Sequence, residues 1–79
     1  MVIGPLLQIV NTVRENKGLQ PVAELTPELR LRGDLGFDSL DLAELTARIH
    51  EQCGVDVFAE GIVYQVGEID ARIKRGRNG

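Results

Sequence analysis

Seventy-nine residues with a formal net charge of −3 make one small domain, and with no tryptophan and only Phe37, Phe58 and Tyr64 aromatic its core must come from Leu, Ile and Val. A single cysteine, Cys53, excludes an internal disulfide, and with one histidine, His50, it leaves no usual four-ligand zinc site. No apolar run is long enough to span a membrane, and Met1-Val2-Ile3-Gly4-Pro5-Leu6-Leu7 lacks the basic start of a signal peptide, so a cytoplasmic protein is expected.

Ile3, Leu6, Leu7, Val10 and Val13 recur at spacings of three and four, which predicts a helix over residues 3–16 with Pro5 in its first turn and Gly18 as its stop. Residues 17–38 are punctuated by Pro21, Thr26-Pro27, Gly33 and Gly36. Thr26-Pro27-Glu28-Leu29 fits a short turn of helix, and Leu25, Leu29, Leu31 and Leu35 pin this long connection to the core as ordered chain. Leu42, Leu45, Ile49 and Cys53 then form the inward stripe of a second helix, closed by Gly54. Asp38 is its N-cap, with Asp41 three residues on as a weaker relative of a capping box, and Ser39 holds the first helical position with its hydroxyl free of capping. Cys53 reads as a small apolar residue of that helix. Val55-Asp56-Val57 lacks a partner strand and leads into residues 58–63, a turn or so of helix broken by Gly61. Val66, Ile69 and Ile73 predict a last helix over 66–75. The sum is an all-α bundle without repeats.

Charge is unevenly spread. From Asp34 to Glu60 seven acidic residues face one basic residue, Arg48, for a segment charge of −6, while the remainder carries eight basic and five acidic residues, for +3. A basic partner would be steered toward Ser39, although most charge runs are solvated helix faces. The basic tail Arg72 to Gly79 reads as a helix end complementing its dipole, with no nucleic-acid partner implied.

Ser39 does not read as a catalytic nucleophile. His50 is eleven residues away on the same helix, about 16 Å by helical rise. No Gly-x-Ser-x-Gly elbow, EF-hand loop or Gly-x-x-x-x-Gly-Lys phosphate loop is present. A chain this small also encloses a deep active-site cleft with difficulty, so no catalytic residues and no enzyme are expected. A covalently modified serine fits better, since a phosphodiester would lie near the positive end of the helix dipole. Leu40 beside it is an apolar contact for a partner.

The pattern Leu31-x-x-Asp34-Leu35-Gly36-x-Asp38-Ser39-Leu40-Asp41-x-x-Glu44-Leu45, followed by the late Val66-Gly67-Glu68-Ile69, resembles the acyl carrier protein family over nearly the whole chain. The resemblance implies one carrier domain over 1–79, a small four-helix bundle of three main helices plus a third that is short or absent. It also implies 4′-phosphopantetheine on Ser39, transferred from coenzyme A by a phosphopantetheinyl transferase. Acyl groups would be held as thioesters for acyl-loading and acyl-processing enzymes with basic docking surfaces, in a fatty-acid, lipid or polyketide pathway. By the same resemblance Asp38, Leu40, Asp41, Glu44 and Glu51 are the partner-recognition residues, and Leu42, Leu45, Ile49 and Val63 line an acyl space. A monomer without a metal is expected, and Met1 with the early first helix leans toward a free-standing chain.

Three departures point to a specialised carrier. The stretch from Val57 to Val66 is about two residues shorter than the usual family spacing, His50 and Gln52 stand where fatty-acid carriers tend to be acidic, and Tyr64-Gln65 replaces a capping threonine, which predicts a looser start to the last helix. Two alternatives remain open. A peptidyl or aminoacyl carrier usually has glycine and histidine before the serine, where this chain has Phe37-Asp38. An unmodified structural subunit of a complex would use the acidic helix equally well.

Overall fold

A computed structural model describes residues 3–59 and 61–78. Among these residues three α-helices surround one hydrophobic core: α1 (Ile3–Asn16), α2 (Ser39–Cys53) and α3 (Val66–Asn78). The helix over 3–16 and the serine-led helix have the predicted bounds, while α3 runs past the predicted 75. On α1 the expected Leu6, Val10 and Val13 are buried together with Ile9, Leu7 is only partly buried, and the Ile3 side chain lies outside those described. On α2 Leu42, Leu45 and Ile49 are buried and Cys53 is partly buried; on α3 Val66, Ile69 and Ile73 are buried. Burying a side chain of this kind is worth roughly 1.5–3 kcal/mol, so these stripes, rather than helix propensity, hold the elements in place.

The long connection between α1 and α2 is ordered chain. Leu25, Leu31, Leu35 and Phe37 are buried, with Val22 and Leu29 packed against the core. Thr26-Pro27-Glu28-Leu29 makes a single turn, closed by Leu29 N–H on Thr26 O at 3.2 Å, rather than a helix. The chain then extends beside the start of α3. Leu31 N–H donates to Tyr64 O (2.9 Å), Val66 N–H to Leu29 O (3.0 Å) and Gly67 N–H to Pro27 O (3.0 Å), an antiparallel pairing around an isolated bridge between Arg30 and Gln65. From the other side α1 grips the connection. Asn11 exchanges two hydrogen bonds with the Val22 backbone, and Arg14 donates to Gln20 O and Leu35 O.

Between α2 and α3 no helix forms among the described residues; a turn over Val57–Ala59 takes the place of the short third helix. Asp56 starts it, its carboxylate accepting from Phe58 N–H at 3.1 Å, and Gly61 ends it at φ 127, a conformation open to glycine. The Arg72 guanidinium reaches across from α3 to Val57 O (2.7 Å) and Gly61 O (2.8 Å) and ties the turn down. The predicted loose start of α3 is corrected. The first-turn donors Val66 N–H and Gly67 N–H are taken by Leu29 O and Pro27 O in place of a capping hydroxyl, and the Glu68 carboxylate reaches back to accept from Tyr64 N–H and Gln65 N–H, both at 3.2 Å.

Candidate functional site

Ser39 is the first residue of α2 and is exposed. Asp38 before it is extended (φ −97, ψ −173), and its carboxylate accepts from Asp41 N–H at 2.9 Å while the Asp41 carboxylate accepts from Asp38 N–H at 2.9 Å. This is a complete capping box built from two aspartates, stronger than the partial one expected. Because the box closes without it, the Ser39 hydroxyl stays outside the capping bonds. The first intrahelical bond runs from Leu42 N–H to Asp38 O, so the N–H groups of Ser39 and Leu40 have no acceptor within the helix.

Two cations reach this helix start from other segments. Lys17, just beyond α1, pairs with Asp41 and donates to Gly36 O at 2.7 Å. The Lys17 bond, and next the Asp38 backbone N–H, hold the Asp41 carboxyl below its ordinary 3.8. Arg32 approaches from the connection and donates from Nη2 to Ser39 Oγ at 3.2 Å. Gly36 at φ 75 helps reverse the chain between Arg32 and Ser39.

An open groove of about 490 Å³ begins at Ser39 and is lined by Arg32, Leu42, Ala43, Phe58, Gly61 and Ile62. Of the residues expected around an acyl space, Leu42 lines this groove. Leu45 and Ile49 lie fully buried in the core, and Val63 borders a different hollow, of about 210 Å³, with Leu31 and Tyr64. Phe58, Ile62 and Arg32 are groove residues that the sequence pattern did not single out. The apolar pair flanking Gly61 was a weak signal for the first two; nothing local marks Arg32.

The structure also divides the expected recognition residues. Leu40 is 81% exposed, and Glu51 is exposed on α2. Asp38 is exposed but committed to the cap, and the Asp41 side chain is only 14% exposed, held by the cap and Lys17. Glu44 is half-buried, accepting from Arg48 Nε at 2.8 Å and from Asn16 Nδ2 at 3.1 Å.

An exposed hydroxyl opening on a groove, with a guanidinium beside it, suits a phosphate ester on that oxygen. The match to known families agrees. The chain belongs to the family described as the phosphopantetheine attachment site, whose model matches residues 7–67. Within that family the chain is similar to acyl carrier proteins. The acyl carrier protein of Saccharopolyspora erythraea is 40% identical over 50 residues, covering 63% of this chain and 52% of that protein. The acyl carrier protein of Rickettsia bellii is 34% identical over 50 residues, covering 63% of this chain and 60% of that protein. The matched stretch thus spans little more than half the length of these relatives. No solved structure matches the chain.

Proposed function

We propose that this chain is an acyl carrier that bears 4′-phosphopantetheine on Ser39 and presents thioester-bound acyl groups to partner enzymes. The observation that carries this reading is the Ser39 hydroxyl itself: exposed at the first turn of α2, left out of the aspartate capping box, and opening on a groove within the family match. The prosthetic group, once attached, supplies a terminal thiol that holds the acyl group. The chain's own residues present the attachment oxygen and the docking surface. Leu40 and Glu51 stand outward for docking, with Asp38 and Glu44 adding negative potential and Asp41 fixing the helix start. Leu42, Phe58 and Ile62 form the apolar wall along which an acyl chain would lie, and Leu45, Ile49 and Val63 are the core layer behind it.

On this reading residues 1–79 form a single carrier domain, the turn at 57–59 stands for a degenerate helix of a four-helix bundle, and the carrier is monomeric and cytoplasmic. Its pathway is a specialised fatty-acid, lipid or polyketide one, consistent with His50 and Gln52 near the end of α2.

Intact mass after incubation with coenzyme A and a broad-specificity phosphopantetheinyl transferase tests the proposal. The native chain should gain one phosphopantetheine and Ser39→Ala none, with both chains equally folded. A folded native chain that stays at its original mass beside a working control carrier would favour an unmodified structural subunit.

A further inference from the structure

Among the described residues the site holds a cation without a carboxylate partner. Lys17 is paired with Asp41 and Arg48 with Glu44. Arg32 has no carboxylate partner among the described residues, and its guanidinium instead donates to the neutral hydroxyl of Ser39. A hydroxyl is a weak acceptor for a full positive charge. Asp34, two residues on, accepts from the Arg30 N–H at 2.7 Å, and Asp38 and Asp41 are occupied by each other's backbone N–H groups, Asp41 also by Lys17.

A phosphodiester on Ser39 changes this balance. It brings one negative charge, with two unesterified oxygens, to within one bond of the atom that Arg32 already touches. That charge arrives beside Asp38 and Asp41, where like-charge repulsion opposes it. A guanidinium offsets the repulsion and suits phosphate in both charge and geometry, because its N–H groups form a planar fork.

We propose that Arg32 is the phosphate-pairing residue of the loaded carrier, closing on the phosphodiester at Ser39 and holding the base of the prosthetic arm at the mouth of the groove. This rests on Ser39 being the attachment site. Arg32 acts as a positioning residue: it changes no bond of the cargo, and it fixes where the arm begins. The pairing depends on modification, so the same side chain has a weak partner in the unmodified chain and a strong one in the loaded chain.

The test uses the full chain, with loading verified by intact mass. Arginine side-chain N–H resonances of the ¹⁵N-labelled native protein are recorded before and after loading, and the ³¹P resonance of the loaded form is followed from low salt to roughly 0.5 M NaCl, where charge attraction is screened. The Arg32 Nε–H signal should shift by several line widths on loading while Arg14, Arg48 and Arg72 stay in place. The ³¹P signal should move with salt in the native chain and be displaced and nearly salt-independent in Arg32→Gln. An Arg32 signal that does not respond to loading, or coincident ³¹P signals in native and variant chains at low salt, would overturn the pairing while leaving Ser39 as the attachment site. Failure of the native chain to gain mass would overturn both. Because the arginine measurement needs only the native chain, the outcome does not hang on the variant folding.

Discussion

At the residue scale, Asp41 shows how one side chain can serve structure where the sequence suggests recognition. Its carboxylate accepts from the Asp38 backbone and pairs with Lys17, so it joins the start of α2 to the end of α1. Both contacts favour the ionised form, and the folded-state pKa is lowered from 3.8. A depressed carboxyl pKa contributes stability that is present above the unfolded value and lost as pH falls through the folded one. Asp41→Asn retains an oxygen for the Asp38 N–H but loses the charge. The variant should therefore be less stable than the native chain at pH 7, and the gap between their urea midpoints should narrow as pH falls below about 4. A gap that stays constant from neutral to acid pH would mean that the charge of Asp41 contributes nothing.

The elements show which structure was legible in the sequence. The first two helices could be bounded because apolar spacing, Asp38 and Gly54 are all local signals, and Gly54 does end α2 in the left-handed conformation at φ 73. The box between Asp38 and Asp41 was half legible, since an aspartate three residues after a cap is a shorter partner than glutamate. Ser39 stood out for the same local reason. Arg32, Phe58 and Ile62 did not, because they reach the groove through the fold of two connections rather than through any helical period. The pairing of residues 27–31 with 64–67 was equally hidden, as it joins segments more than thirty residues apart. Gly67 makes that pairing possible. A Cβ there would come within 3.0 Å of Pro27 Cβ and 3.2 Å of its carbonyl oxygen, while the Gly67 N–H is bonded to that same oxygen. Gly67→Ala should destabilise the protein by about 1–3 kcal/mol in urea unfolding, the usual cost of overpacking. At Gly4, also in the first turn of a helix, a Cβ meets nothing within 4 Å, which makes Gly4→Ala the control expected to be neutral or better. Equal effects at the two positions would mean that the contact with Pro27 does not constrain α3.

Across the whole molecule, the excess of acid between residues 34 and 60 is real in sequence but partly compensated in space. Beyond Arg48, which the segment count already includes and which covers Glu44, Lys17 from the end of α1 covers Asp41 and Arg32 lies at Ser39. The charges left to steer a partner are fewer than the sequence count, and neutralising Asp38 or Asp41 would disturb the cap together with the field. Glu44 and Glu51 allow a cleaner experiment, because neither takes part in the capping box and exposed or half-exposed ion pairs add little stability. Glu44→Gln combined with Glu51→Gln should leave the unfolding midpoint nearly unchanged while lowering kcat/KM for phosphopantetheinyl transfer at low salt. Removing two charges from a steering patch makes a loss of roughly 3–10-fold the expected scale. Screening at roughly 0.5 M NaCl should bring the native and variant rates together, since the Debye length there is shorter than the reach of the patch. If the variant is as fast as the native chain at every salt concentration, the acidic face of α2 does not steer the transferase. Leu40, whose apolar side chain stands 81% exposed beside Ser39, would then be the contact on which docking depends.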